Sequence, residues 1–236
     1  MMSGISLIAT ITYTAWMFLG TPQDLSLPSM SGTTDPAVIR YVAIGDSYTV
    51  GEGVAVREAW PSQLVEIAKA NGVQLKLVAS IARSGWTTTD LIGQGLPEYD
   101  ATNAQFVTLM IGTNDAQQNM VPEHFQSNFR IILDKITQQV PPEKIVVITI
   151  PDYLVTPTGA QKASGANPEA EIRSLNSVIQ NECAERGCEV VDIFEVSRHL
   201  GSTSSLMTRD KLHPSPTGHL EWANVIAPTV LRVLGK

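Results

Sequence analysis

The chain has 236 residues, of which 43% are hydrophobic and 17% charged, and its formal net charge is −7. This length allows one sizeable hydrophobic core, so a single globular domain is the simplest expectation. The acidic balance and the lack of any run of Lys or Arg argue against a nucleic-acid partner, because such partners require a positive surface along the phosphate backbone.

The N-terminal segment differs in composition from the rest of the chain. Residues 5–20 form a nearly continuous apolar run without charge, followed by Pro22, Pro28 and a stretch rich in Ser, Thr and Gly. This pattern is typical of a signal peptide or an N-terminal membrane anchor followed by a linker, although the run is shorter than the ~20 residues that span a bilayer. We expect a leader and linker over residues 1–36, one folded domain over residues 37–236, and an exported or membrane-anchored protein. Without such a leader the protein would be cytoplasmic.

From Arg40 onward, strand-like and helix-like segments alternate, which is typical of a parallel sheet with crossover helices. Strands are expected at residues 40–44, 74–80, 106–111, 144–150 and 189–193. Helices with Pro in the first turn are expected at residues 61–70, 122–139, 168–186 and 216–234. Pro228 lies inside the last helix and should kink or interrupt it, because proline removes a backbone donor.

Four short polar motifs occur along this pattern. They are Gly-Asp-Ser-Tyr-Thr at residues 45–49, Arg-Ser-Gly-Trp at 83–86, Gly-Thr-Asn-Asp at 112–115 and Asp-Lys-Leu-His-Pro at 210–214. The first three follow predicted strands. Because ligands bind outside the carboxyl ends of the strands in an open α/β sheet, we expect the motifs to converge there.

Two of the motifs contain the residues of a nucleophilic triad. A serine hydroxyl attacks efficiently only when a neighbouring base takes its proton, and His213 is the candidate base for Ser47. Asp210, three residues earlier, would fix the histidine tautomer and stabilise the imidazolium. Considered alone, each motif is an ordinary turn. Asp192, at the end of the fifth strand, is the alternative acid.

The type and order of the four motifs resemble the GDSL or SGNH hydrolase family, and the resemblance extends from about Arg40 to Leu234. Thr49 stands where the second glycine of a G-x-S-x-G elbow would be, which separates the chain from α/β-hydrolases. The resemblance implies an α/β three-layer sandwich with a flavodoxin-like parallel sheet of strand order 2-1-3-4-5. No cofactor is implied, and the His and Cys residues lack the spacing of a metal site.

The resemblance also implies an oxyanion hole that consists of the backbone N–H groups of Ser47 and Gly85 and the side-chain amide of Asn114. A glycine lets a substrate approach the backbone closely, and an amide donates without a negative charge. The alternatives are a simple turn for Gly85 and a helix N-cap for Asn114. Asp115 is expected to hold the loop.

Several other residues leave alternatives open. His219 is interpreted as a packed or solvated residue rather than a second base. Trp60 and Trp86 are candidates for the pocket wall, and packing at the helix start before Pro61 is the alternative for Trp60. Cys183 and Cys188 flank a predicted helix end, where a disulfide and two packed free thiols are both compatible with the spacing.

Together these patterns predict a serine ester hydrolase that acts on a small-molecule or glycan ester. The connection at residues 151–167 contains no apolar run that would form a lid, so an open site for short acyl groups is expected. The alternatives are a non-catalytic carbohydrate- or lipid-binding module of the same fold and a flavodoxin-like nucleotide binder. The Gly-Glu-Gly at residues 51–53 is too short for a dinucleotide fingerprint, which disfavours the nucleotide binder.

Overall fold

A computed structural model describes residues 38–236 and contains one five-stranded parallel sheet. The predicted leader and linker at residues 1–36 lie outside the described residues. The strands are β1 (Ile39–Gly45), β2 (Leu75–Ala82), β3 (Phe106–Met110), β4 (Ile145–Ile148) and β5 (Glu189–Val191). Their order in the sheet is β2-β1-β3-β4-β5, which confirms the predicted order.

The longer helices are α2 (Trp60–Ala70), α6 (Pro122–Ile136), α8 (Pro168–Arg186), α9 (Phe194–Ser202) and α10 (Pro216–Val233). The first three cross between strands, and the last two follow β5. Shorter helices follow the strand ends and lie in the connections: α1 (Ser47–Val50), α3 (Thr88–Asp90), α4 (Leu96–Tyr99), α5 (Thr113–Gln117) and α7 (Pro157–Gln161). The π-helical turn Leu91–Gly95 joins α3 to α4.

Local signals determine where α8 begins and ends. The Asn167 side chain accepts the N–H of Ala170, Pro168 occupies the first turn, and Gly187 ends the helix in the left-handed conformation at φ 78°. By contrast, α10 runs through Pro228 without interruption. The buried residues on both sides of the proline, including Trp222 and Val230, pack in the core and hold the helix together.

The sheet is buried on both faces, as expected for parallel strands covered by helices. Alternate residues of β1 point to opposite sides. Tyr41 and Ala43 belong to the apolar cluster with α2 and α10, whereas Val42 and Ile44 belong to the cluster with α6 and α8. This confirms the three-layer sandwich.

Cys183 and Cys188 are free thiols and both are buried. The left-handed Gly187 brings the N–H of Cys188 to the carbonyl oxygen of Cys183 at 3.0 Å. A hydrogen bond between the two thiols raises the pKa of Cys183 and lowers that of Cys188. The structure therefore corresponds to the free-thiol alternative.

Within residues 38–236, no helix combines the length and the apolar character needed to cross a bilayer. In the same range, His, Cys, Asp and Glu side chains do not form any group of three that could hold a metal ion.

Candidate active site

Ser47 is the first residue of α1 and follows Asp46 at the carboxyl end of β1, which lies between β2 and β3 in the sheet. The Asp46 carboxylate caps the helix by accepting the N–H of Tyr48 at 3.0 Å. Because the first N–H groups of a helix have no partner within it, the N–H of Ser47 is available to a ligand. A Cβ at Gly45 would lie 2.3 Å from the carbonyl oxygen of Met110, so only glycine allows β1 and β3 to pack this closely beside the serine.

The structure brings Ser47, His213 and Asp210 together. His213 Nε2 lies 2.9 Å from Ser47 Oγ, and His213 Nδ1 lies 2.6 Å from Asp210 Oδ2. Ser47 and His213 are each 7% exposed. These distances allow a proton to pass from the serine hydroxyl to the imidazole while the carboxylate holds the opposite ring nitrogen.

The loop before α10 fixes the Asp210 carboxylate. Its Oδ1 accepts the N–H groups of Leu212 at 2.8 Å and His213 at 3.0 Å, and the hydroxyl of Thr208 at 2.6 Å. Partial burial raises the pKa of Asp210, but the hydrogen bonds from His213 and Thr208 outweigh it and lower the pKa to about 2. Asp210 is therefore an anion at neutral pH.

Asp192 lies away from His213. It accepts the hydroxyl of Thr149 and, at the start of α9, the N–H of Phe194, each at 2.9 Å. These contacts are those of a carboxylate that joins the ends of β4 and β5. The geometry therefore places Asp210, and not Asp192, beside the histidine.

Gly85 occupies a turn closed by the hydrogen bond from the N–H of Trp86 to the carbonyl oxygen of Arg83 at 3.2 Å. Its φ of 84° lies in the left-handed region that favours glycine, and among the described residues, apart from its two chain neighbours, no atom lies within 4 Å of where a Cβ would be. Gly85 is therefore both a turn residue and a residue of the site, because this turn borders the cavity above Ser47.

Hydrogen bonds join the Gly85 turn to α5. The Asn114 amide donates to the carbonyl oxygen of Trp86 at 2.9 Å, and the Asp115 carboxylate accepts the N–H of Thr88 at 3.0 Å. Since Gly112 occupies the cap position of α5, Asn114 is not the N-cap. Asp115 makes the loop contact that was expected of it.

Polar side chains surround a cavity of about 290 Å³ at Ser47. Its lining consists of Ser47, Tyr48, Glu52, Ser84, Gly85, Thr113, Asn114, Gln117, Thr158, Lys162, Asp210, Leu212 and His213. Trp60 and Trp86 are not part of this lining. Trp60 is completely buried in the apolar cluster with α2 and α10, which agrees with its packing alternative, whereas the prediction of Trp86 as a pocket wall is wrong. The backbone carbonyl oxygen of Trp86 accepts a hydrogen bond from the Asn114 amide.

Several of these residues had no role predicted from the sequence. Ser84 belongs to the second motif, and Glu52 lies three residues after the first, so both were recognisable from their position. Thr158 and Lys162 come from the region of α7, where no motif marks them, because only folding brings this connection to the cavity.

His219 is completely buried, and its Nδ1 accepts the N–H of Trp60 at 3.3 Å. Burial lowers the pKa of His219 to about 4, assisted by the nearby His213. The imidazole is therefore neutral at pH 7 and accepts a free N–H group at the start of α2. This agrees with the interpretation of His219 as a packed residue.

Burial raises the pKa of Asp46 to about 7, and the N–H of Tyr48 opposes this effect by favouring the carboxylate. Burial also raises the pKa of Asp115. Two buried carboxyl groups thus flank the nucleophile and the Asn114 helix.

The chain matches a known protein family in sequence. The model of the GDSL-like lipase/acylhydrolase family matches residues 43–220, a range that contains all four motifs. No curated protein matches the chain in sequence.

Solved structures share the fold. The lipase/acylhydrolase from Enterococcus faecalis has a TM-score of 0.64 and 21% identity, over 82% of this chain and 96% of that chain. The psychrotrophic esterase EstA from Pseudoalteromonas sp. has a TM-score of 0.67 and 15% identity, over 84% of this chain and 99% of that chain. A family 3 carbohydrate esterase from Clostridium thermocellum has a TM-score of 0.63 and 18% identity, over 85% of this chain and 100% of that chain. At these identities the similarity establishes the fold alone.

The buried His219 predicts a pH dependence of stability. Its pKa is about 4 in the folded protein and about 6.5 in the unfolded chain. The unfolded state therefore binds more protons between these values, and the stabilising contribution of neutral His219 is lost as pH falls from about 6.5 towards 4.

We expect His219→Asn to lose less unfolding free energy than the wild type between about pH 6.5 and about pH 4. Urea unfolding of both proteins at several pH values between 7 and 4 measures it. Because the other titrations cancel in the difference between the two proteins, a difference that stays constant with pH would contradict the assigned pKa.

Proposed function

This chain belongs to the GDSL-like lipase/acylhydrolase family, and we propose that it hydrolyses carboxylic esters through an acyl-enzyme. The observation that carries the proposal is the pair of contacts at His213. One ring nitrogen lies 2.9 Å from the Ser47 hydroxyl, and the other lies 2.6 Å from the Asp210 carboxylate. A non-catalytic binding module would have no need for this arrangement.

The proposed reaction begins when Ser47 Oγ attacks the ester carbonyl carbon while His213 Nε2 takes the hydroxyl proton. Asp210 stabilises the imidazolium through Nδ1. His213 then gives the proton to the leaving alkoxide, which departs as an alcohol. In the second half, His213 takes a proton from water, the hydroxide attacks the acyl group, and Ser47 is regenerated.

The tetrahedral oxyanion would be held by the backbone N–H groups of Ser47 and Gly85 and by the side-chain amide of Asn114. The Asn114 amide has two N–H bonds. One donates to the carbonyl oxygen of Trp86 at 2.9 Å and orients the group, which leaves the other for the substrate. Such pre-oriented donors stabilise developing charge without reorganisation during the reaction.

We propose a small-molecule or glycan ester with a short acyl group as the substrate. The cavity of about 290 Å³ is lined mainly by polar groups, and the connection at residues 151–167 supplies Thr158 and Lys162 rather than an apolar cover. Export or N-terminal membrane anchoring is a separate proposal that rests on the apolar run at residues 5–20.

Ser47→Ala should lower kcat about 10⁴- to 10⁶-fold, because loss of a triad nucleophile removes the covalent route. Treatment with a phosphonate ester should give one adduct, and mass spectrometry should find it on Ser47. The exposed Ser177→Ala on α8 is the matched control. Labelling at a different serine, or activity retained in Ser47→Ala, would refute the assignment.

Asn114→Ala should lower kcat about 10²- to 10³-fold and change KM far less, because an oxyanion donor acts mainly in the transition state. Steady-state kinetics on one neutral ester measures both constants. Gln118→Ala, at the end of the same helix, is the control. A poorer KM at unchanged kcat would assign Asn114 to substrate positioning instead.

Among p-nitrophenyl esters from acetate to palmitate, kcat/KM should be highest between acetyl and butyryl. A longer chain finds little apolar surface to bury at about 25 cal/mol per Å². A rise that continues to the long chains would reveal an apolar acyl-binding surface and contradict the short-acyl proposal.

A further inference from the structure

Lys162 lines the catalytic cavity directly after α7. Within the part of the chain that the structure describes, its ammonium group forms no hydrogen bond or ion pair. Among residues 38–236, Lys162 is the one lysine or arginine in the lining of this cavity. The Lys162 residue is exposed, so an incoming substrate can reach its ammonium group in a chain whose net charge is −7.

The segment that carries Lys162 is attached to the site on both sides. Before it, the Thr158 hydroxyl donates to the carbonyl oxygen of Asp210 at 2.6 Å, and the Thr158 N–H donates to that of Lys211 at 3.2 Å. After it, the Ser164 hydroxyl donates to the carbonyl oxygen of Gln117 at 2.6 Å. Lys162 is therefore held at the rim between the Asp210 loop and α5.

The remaining charged groups of the cavity have partners of their own. Asp210 is bonded to His213, and the Glu52 carboxylate accepts the hydroxyl of Ser84. The Gln117 side chain also lines the cavity, and within the described residues its amide makes no hydrogen bond. The cavity rim near α5 and α7 thus presents an ammonium and an amide that are both free to bind a ligand.

We propose that Lys162 and Gln117 bind an anionic oxygen group of the substrate, so that the preferred esters carry a carboxylate a few atoms from the ester carbonyl. This inference rests on the proposed ester hydrolysis and specifies its substrate class. Glu52 and Asp210 disfavour an anion elsewhere in the cavity, which gives the substrate one orientation.

The test compares esters that differ only in charge. For an anion on the alcohol, the pair is 3-acetoxybenzoate and 3-acetoxybenzamide. For an anion on the acyl group, the pair is the monomethyl ester of glutaric acid and the methyl ester of its monoamide. For each pair, the quantity measured is kcat/KM of the anionic ester divided by kcat/KM of the neutral one.

We expect this ratio to favour the anion in one of the two pairs and to fall about three- to tenfold in Lys162→Met, the range for a partly exposed ion pair with a charge-assisted hydrogen bond. Lys162→Glu should lower it further. Lys69→Met, on the exposed face of α2, should not change it. Raising the salt from about 0.01 M to about 1 M should reduce the wild-type ratio, because the screening length falls from about 30 Å to about 3 Å.

A ratio that favours the neutral ester in both pairs, or one that Lys162→Met leaves unchanged, would overturn the inference while ester hydrolysis itself stands. Failure of the proposed function has a different signature. In that case the wild-type protein hydrolyses none of the four esters, or Ser47→Ala hydrolyses them equally well.

Discussion

The rest of the site depends on the contact between the His213 imidazole and the Ser47 hydroxyl, because it joins segments that are 166 residues apart in the chain. Ser47 is placed by the end of β1, and His213 by the loop before the last helix. Tyr48 packs between His213 and Trp222, with its ring centroid 5.0 Å from that of His213 and 5.5 Å from that of Trp222. The interior of the α2 and α10 layer therefore supports the imidazole from behind. A shift of α10 against the sheet would separate the base from the nucleophile.

A second group of contacts sets the geometry of the proposed oxyanion donors. The Gly85 turn and the Asn114 helix follow different strands, yet the Asn114–Trp86 and Asp115–Thr88 hydrogen bonds tie them together. Each such bond contributes about 1 kcal/mol net, whereas an unsatisfied buried partner costs about 1–3 kcal/mol. The buried Asp115 has a raised pKa because of its burial, and it is tolerated because Thr88 satisfies it. The buried carboxyl group of Asp115 thus fixes the positions of the proposed oxyanion donors.

Much of the fold was predictable from local patterns. The continuous apolar segments that became β1 and β3, and the Pro-initiated helices α6, α8 and α10, were recognised because burial on both faces and helix caps leave short-range signals. The helical region from Thr88 to Tyr99 was missed, since Gly93, Gly95 and Pro97 oppose helix formation locally. Its Leu91, Leu96 and Tyr99 side chains are buried in the core, and this packing outweighs the local preference.

The sequence by itself determined the family, the order of strands and helices, and the residues of the four motifs, because these depend on residue type and spacing along the chain. Only the tertiary structure decided between Asp210 and Asp192 as the neighbour of His213. It also placed His219 in the core as a neutral acceptor and brought Lys162 to the cavity rim. These outcomes depend on distances between segments that are remote in sequence, and on burial that shifts a pKa, so no local pattern contains them.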